Sequence, residues 1–386
     1  MSYLNAGAIL LIDLSNGKIT KEPTTSFSRQ FIGGRGINTK LLYDNVPPEV
    51  DALSPKSFLL FGTGPLGGTS CPGSSRIDVM AKSPETGLMG TSGIGGRAPA
   101  QLKFAGYDHI AITGKAEKPV YLWINDEQVE IRDASGLWGK DTYTVPVLIR
   151  EELHDPEVKV FCIGPAGENL VRYATVQSGI GDGAGRTGMG TVMGSKRLKA
   201  IAIRGTKGVK VARPADFLAK SQQIIQQLLK HPNAIEIKNY GEARMTDEAV
   251  QHDGQHTQTQ NFQRSFWEHE KDISPYDFWK KHPPRKMGCI GCPLQCKDVY
   301  DIPGLGRGAI YCKFYFHMTW STALTDMDTW YKSCVLCQKL GIDVVSLSIM
   351  LAWAMELHQR GIITSKDTDG IPMEWGSKEA IIEMIK

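Results

Sequence analysis

The chain has 386 residues, 41% of them apolar, and a formal net charge of +3 at pH 7. That length has room for two or three domains, each with its own core, and the apolar share is that of a folded chain rather than a disordered one. So small a charge gives no ground for a nucleic-acid partner or a membrane surface.

The opening stretch carries a short apolar run, Ala6 to Ile12, with no basic segment before it and Asp13 at its end. It is read as neither a signal peptide nor a membrane span, so a cytoplasmic chain with its cysteines reduced is expected. Ala8 to Leu14 reads as a strand, Asn16-Gly17 as a turn and Lys18 to Lys21 as the return. Helix spacing covers Ile37 to Tyr43. Short apolar runs bounded by Gly or Pro follow at Phe58 to Phe61, Arg76 to Ala81 and His109 to Ile112. Val120 to Ile124 and Gln128 to Ile131 flank a hairpin signal at Asn125-Asp126-Glu127. Tyr143 to Leu153 has helix spacing, and Lys159 to Ile163 and Ala200 to Arg204 read as strands. After Pro214 the helical period takes over, at Ala215 to Leu229, Thr329 to Leu340, Ser346 to Arg360 and Lys378 to Lys386. Asp326 or Asp328 is placed to cap the second of these, and Gly361 to end the third. No internal repeat is visible.

Glycine marks the same division. Of the 41 glycines, 30 lie in residues 1–210 and 11 in the remainder. The expectation is an α+β chain, with a Gly-rich β-sheet domain over 1–210 and a mainly α-helical domain over 211–386. Four glycine-rich stretches stand in the front domain: Gly33 to Gly36, Gly62 to Gly68, Gly93 to Arg97, and Gly181 to Gly194. Arg35, Arg76, Arg97 and Arg186 lie in or near them. Glycines permit close backbone approach and guanidinium forks suit phosphate, so loops of this kind suit a phosphate-bearing cofactor. Tight turns between many short strands are the plainer reading. Neither a dinucleotide fingerprint nor a Walker A motif is present.

Cys289, Cys292 and Cys296 stand in KMGCIGCPLQCKD at C-x2-C-x3-C spacing. Soft thiolates converging on one centre suit zinc or an iron–sulfur cluster. A structural zinc site would want a second ligand pair nearby, and none follows. A disulfide with one leftover thiol would need an oxidising compartment. The cluster reading is preferred, with a fourth ligand from elsewhere in the sequence.

In order, GGRGINTKLLYD, FGTGPLGGT, PGSSRIDVMAKSPETG, QLKFAGYDHIAITGKAEKP, GRTGMGTVMGSKRLKAIAIRG, CIGCPLQC, LGIDVVS and AMELHQRGI give a chain that resembles the aldehyde ferredoxin oxidoreductase family of tungsten or molybdenum enzymes. The resemblance implies tungstopterin or molybdopterin, two pterins to one metal, with a 4Fe–4S cluster alongside and a magnesium ion. It implies cluster ligands at Cys289, Cys292 and Cys296, and an arginine spanning cluster and pterin at Arg76. Gly93, Gly95, Ala184, Arg186 and Gly188 match pterin-cradling loops, and Asp343 a pterin-binding turn. The activity implied is oxidation of an aldehyde to its acid, with electrons leaving to ferredoxin or a partner iron–sulfur subunit; a homodimer is a further expectation.

Three departures qualify this. Gln338 replaces the first Asp of the family's pterin motif. No Glu lies between Ile302 and Met355, where many aldehyde-oxidising members carry one near the metal. The chain also stops within an apparent helix, so a fragment lacking the family's third domain is expected, and with it the alternative of a non-catalytic electron-transfer or scaffold chain. Cys312 falls where class II benzoyl-CoA reductases carry a cysteine that ligates tungsten, and VEIRDASGLWGK also looks like that branch. Reduction of an aromatic or enoyl acyl-CoA is the rival activity. A buried thiol and a substitute cluster ligand are the other readings of Cys312. Cys334 and Cys337, one helical turn apart, read as core, Cys71 and Cys162 as packing thiols, and His317 as a core histidine. Tyr311, Phe314, Tyr315, Phe316 and Trp320 fit a substrate pocket or a helix core.

Overall fold

The computed structural model describes residues 3–241, 258–269, 272–310 and 312–386, with backbone alone at 275 and 312–316. The chain divides into two compact units. The first is Met1–Leu229 with Cys289–Pro293 and Lys339–Ile342; the second is Lys230–Gly288, Leu294–Gln338 and Asp343–Lys386. Tyr311 lies outside the described residues, as do the side chains of Cys312, Phe314, Tyr315 and Phe316.

Unit 1 is built from two six-stranded sheets. Strands β1 (Ala8–Asp13), β2 (Lys18–Pro23), β3 (Leu59–Thr63), β4 (Ile77–Lys82), β5 (Met89–Ile94) and β6 (Tyr107–Thr113) form one, in the order β2-β1-β6-β3-β4-β5. Strands β7 (Val120–Asn125), β8 (Gln128–Asp133), β9 (Lys159–Cys162), β10 (Val176–Gln177), β11 (Gly183–Ala184) and β12 (Leu198–Arg204) form the other, in the order β11-β10-β9-β12-β7-β8. Reversed, the second order is the first. Each sheet starts with a hairpin, runs outward through three antiparallel strands to an edge, and returns by one strand that pairs in parallel with the hairpin's first. The chain therefore carries an internal repeat of topology that the sequence conceals. What repeats is the burial pattern of strands, which many apolar residues satisfy equally.

Burial explains the patterning. Leu10, Ile12, Phe61, Val79 and Ile112 of the first sheet share one core with Leu122, Ile124, Phe161, Ile201 and Ile203 of the second. Phe61 and Phe161, on the equivalent strands β3 and β9, meet with ring centroids 5.6 Å apart. The intervening residues face outward, each set onto its own helix: Ile9, Leu60 and Met80 onto Arg35–Asn45, and Tyr121, Val160 and Ala200 onto Thr144–Leu153. A strand covered on both faces reads as a continuous apolar run, which is why the strand centres were legible. Helices Ala98–Phe104 and Met189–Ser195 contribute Leu102 and Val192 to the shared core.

Two of the expected loops are partly regular structure. Gly93 lies in β5, and the stretch Gly181 to Gly194 contains β11 and the helix Met189–Ser195. Glycine lowers propensity for both states; packing overrides it here, since a Cβ on Gly190 would run into the Thr175 backbone.

Unit 2 is mainly helical, as expected, with Asp326 accepting from Thr329 N at 2.7 Å as a cap and Gly361 at φ +67° closing Val344–Gln359. It also contains an unexpected three-stranded antiparallel sheet of β13 (Arg285–Met287), β14 (Lys297–Ile302) and β15 (Gly306–Ile310). Phe278 packs in its core against Tyr300, Trp330 and Tyr331, with centroids 5.4, 5.2 and 5.7 Å away. No helix among the described residues is long and apolar enough to cross a membrane.

A polar cluster is sealed under the first sheet. Asp108 accepts from Ala6 N, Gly7 N, Thr24 Oγ1 and Lys103 Nζ, tying the start of the chain to β6. Next to it, fully buried His109 shares its Nδ1 with Asn38 Oδ1 at 2.9 Å, in space that only Gly62 leaves open. Burial pushes the imidazole down to about 4. The unfolded chain protonates this histidine near its ordinary 6.5 while the folded chain resists, so folding stability falls as pH drops from about 6.5 towards 4. This group alone accounts for about 3 kcal/mol of that loss. Denaturant midpoints at pH 7 and 4.5 are expected to differ less in His109→Gln than in the parent.

Candidate cofactor and metal site

The cysteine loop runs from the end of β13 to the start of β14, whose residues Met287 and Lys297 are paired in register. Cys292 N donates to Cys289 O at 3.1 Å, and Gly291 takes φ +71°, so the C-x2-C segment is one tight turn. In unit 1 that turn is fixed by two hydrogen bonds to the end of β5. Gly96 N donates to Cys289 Sγ at 3.0 Å, and Ile290 N donates to Gly96 O at 3.3 Å. Ser75 Oγ donates to the same carbonyl at 3.0 Å. The Gly96 N–H contact fixes the position of the sulfur relative to the strand end.

Arg76, exposed at the residue before β4, lies over the same strand end. Its Nη2 donates to Gly93 O at 3.1 Å, and a Cβ on Gly93 would meet that nitrogen at 2.8 Å. Gly95 is more crowded. The position its Cβ would take is 2.9 Å from Cys289 Sγ and 3.6 Å from both Arg76 Nη1 and Asp182 Oδ1. Gly96, at φ +87°, leaves no room for a side chain against the Asp182 carboxylate. The structure thus gathers Arg76, Gly93, Gly95 and Cys289 from three distant sequence stretches. It adds Asp182 and Ser75, which sequence reading missed; an acidic residue inside GDGAG was the available signal for the former.

The second glycine–arginine stretch occupies the equivalent place in the repeat. Both β5 and β11 are edge strands, and each is followed by a glycine-rich turn and then a short helix. Ala184 is buried in β11 opposite Val176. Arg186 is exposed, with its N donating to Ser92 Oγ at 3.4 Å. Gly188, at φ +72°, precedes the helix Met189–Ser195, where a Cβ would collide with Arg172 O. Arg97 is likewise exposed. Arg35 differs, since it pairs with Asp78 at 3.2 Å.

The segment 339–342 docks on the second sheet as the cysteine loop docks on the first. Thr175, the residue before β10, donates to Gly341 O at 2.8 Å, and Thr142 donates to Lys339 O at 3.0 Å. Asp343 follows and caps Val344–Gln359, accepting from Ser346 N at 3.0 Å and Ser346 Oγ at 2.8 Å. Gln338, the departure from the family pattern, pairs its amide with both Ala309 N and Ala309 O, at 3.2 and 2.5 Å. A carboxylate has no donor for that carbonyl.

Other residues divide plainly. Cys334, Cys337 and Cys162 are buried, and burial pushes the Cys162 thiol up to about 12. Cys71 is only half-buried, against expectation, since a loop rather than a core surrounds it. Cys296 belongs to unit 2. The backbone at Cys312 begins the helix Cys312–Thr322; its side chain lies outside the described residues. Among the described residues no group of three or more His, Cys, Asp or Glu is already gathered as a metal-ligand set.

Paired sheets with edges that end in glycine–arginine turns, and a C-x2-C loop hydrogen-bonded to one of them, form a single module. The model of the aldehyde ferredoxin oxidoreductase N-terminal domain matches residues 9–205, and that of domains 2 and 3 of the same family matches 219–386. The chain belongs to the aldehyde ferredoxin oxidoreductase family. It is 38% identical to the tungsten-containing aldehyde ferredoxin oxidoreductase of Pyrococcus horikoshii, over 97% of this chain and 62% of that one. It is 29% identical to the WOR-like subunit of an aliphatic sulfonate oxidoreductase of Pyrococcus furiosus, over 99% of this chain and 64% of that one. In structure it is similar to a chain of the active-site complex BamBC of benzoyl coenzyme A reductase in complex with 1,5-dienoyl-CoA. The TM-score is 0.88 at 33% identity, covering 100% of this chain and 60% of the other. The chain therefore spans about three fifths of the length of these relatives.

The crowding at Gly96 has a direct consequence. Gly96→Ala is expected to destabilise unit 1 by at least about 1 kcal/mol, through positive-φ strain plus the clash with Asp182. Gly136→Ala, where a Cβ would meet nothing within 4 Å, should change stability by no more than about 0.5 kcal/mol. Urea unfolding of the two variants makes the comparison.

Proposed function

We propose that the protein is a tungstopterin-dependent, low-potential oxidoreductase. It oxidises an aldehyde to a carboxylic acid and passes electrons through a 4Fe–4S cluster to ferredoxin. The observation that supports this most is the junction at Gly95, where an exposed guanidinium and a hydrogen-bonded cysteine sulfur approach the same glycine-only strand end. The residue types suit the groups the family implies, although among the described residues the three thiols do not already form one ligand set. Cys289, Cys292 and Cys296 would supply thiolates to the cluster. When bound, the tungstopterin supplies two-electron chemistry at the substrate and the cluster supplies one-electron transfer.

The chain's own part is electrostatic and steric. The Gly96 N–H holds the Cys289 sulfur in place, and Arg76 presents a planar cation to a phosphate-bearing cofactor. Gly93 and Gly95 leave the backbone bare on the first sheet, while Ala184, Arg186 and Gly188 offer a second bare turn on the other. The matching of the two edges fits a cofactor made of two like halves. Asp343 holds the turn after Gly341 by capping the helix that follows.

Reduction of an aromatic or enoyl acyl-CoA is the second reading. It is favoured by Cys312, by the lack of Glu between Ile302 and Met355, and by the likeness to the benzoyl coenzyme A reductase chain. Anaerobically purified protein is expected to carry iron, tungsten or molybdenum, and a broad absorption near ~400 nm that bleaches on reduction. Cys289→Ala and Cys292→Ala should each lower the iron content and that absorption. Dye reduction driven by aldehydes supports the first activity, and dye reduction driven by a cyclic dienoyl-CoA supports the second. A Cys312→Ala variant that keeps iron and loses tungsten also favours the second. Protein without iron or a pterin-bound metal overturns both.

A further inference from the structure

We infer that Asp182 is a positioning residue that sets the reduction potential of the cluster bound at Cys289, by opposing the charge of Arg76. The inference rests on the reading that the cysteine loop holds an iron–sulfur cluster. Asp182 ends a tight connection between β10 and β11. Ser178 N donates to Asp182 O at 2.6 Å, Gln177 pairs with Gly183, and Gly179 and Gly181 take φ +67° and +75°. That turn delivers the carboxylate from the edge of the second sheet onto the Gly95–Gly96 backbone at the edge of the first.

The geometry there is specific. Asp182 Oδ1, Arg76 Nη1 and Cys289 Sγ all lie within 3.6 Å of the single point a Gly95 Cβ would occupy, and the second carboxylate oxygen lies against Gly96. Gly96 is the residue whose N–H reaches the sulfur. The carboxylate therefore does two things. It fills the space that keeps residues 95 and 96 glycine, holding the peptide that donates to the thiolate. It also places a negative charge beside a centre that becomes more negative on reduction. Cluster potentials respond to local charge and to hydrogen bonds on the sulfurs. A carboxylate gathered with the sulfur about Gly95 disfavours the added electron, and the Arg76 guanidinium, as far from that point as the carboxylate, favours it. Together they hold the cluster lower than Arg76 alone would. The sequence supports the pairing indirectly, since Asp182 is the acidic residue that the glycine-rich stretch spends on this edge.

The test is a spectroelectrochemical titration of the cluster in the full-length, cofactor-loaded protein, with iron measured per chain. Asp182→Asn keeps the shape and most hydrogen bonding while removing the charge. It is expected to keep its iron and to raise the midpoint potential, so that the reduced-to-oxidised ratio at a fixed poise increases about tenfold. Asp182→Glu, which restores the charge, should titrate close to the parent. An Asn variant with full iron and the parent's potential overturns the inference, as does a Glu variant shifted as far as Asn. Loss of iron in the Asn variant also overturns it, because the carboxylate would then be a structural strut. Absence of iron from the parent protein is a different outcome: it removes the reading of the cysteine loop itself.

Discussion

The hydrogen bond from Gly96 N to Cys289 Sγ joins two parts of the chain that are 193 residues apart in sequence. It requires a strand that ends bare of side chains, a cysteine turn tight enough to bring its sulfur to that strand, and a neighbouring carboxylate that keeps larger residues out. Each requirement has a residue. Gly95 and Gly96 give the bare edge, Gly291 the turn, and Asp182 the exclusion. Removing side chains from an edge strand costs conformational entropy and packing, and the shared core between the sheets offsets it, with Phe61 and Phe161 meeting at its centre.

Duplication of the sheet topology gives this edge a counterpart. β5 and β11 occupy the same position in their sheets, each leading through glycine and arginine into a short helix. At Gly96 the visitor is the cysteine turn; at Thr175 it is the segment 339–342. A pair of similar glycine–arginine edges on a common core is in keeping with the proposed cofactor of two similar halves. Its asymmetry lies in what docks at each edge, a thiol-bearing turn on one and the segment 339–342 on the other.

The elements were legible wherever a periodic apolar run coincided with burial. Both hairpins, the central strands and the long helices at Pro214–Lys230, Met327–Leu340 and Val344–Gln359 follow from spacing and turn residues. The small sheet β13–β15 was not, because β13 has three residues and none is buried, β15 is buried in only part of its length, and the cysteine loop interrupts it. Nor was the helix Met189–Ser195, whose glycines are chosen for close backbone contact and count against a helix in any propensity scale. Gln338 shows the same limit from the other side. A departure from a motif carries no visible reason until its amide is seen paired with Ala309.

By itself the sequence determined the chemistry on offer: three thiols at ligand spacing, arginines set among glycines, and a family resemblance that implies cofactor roles for Arg76, Gly93, Gly95, Ala184, Arg186 and Gly188. Residue types and local spacing suffice for that, because ligand softness and backbone freedom are properties of single residues and short turns. Only the tertiary structure decided which of these groups meet. The convergence of Arg76, Cys289 and Asp182 on Gly95, and the equivalence of the two sheet edges, depend on long-range strand pairing, and no local pattern encodes which distant strand will become a neighbour.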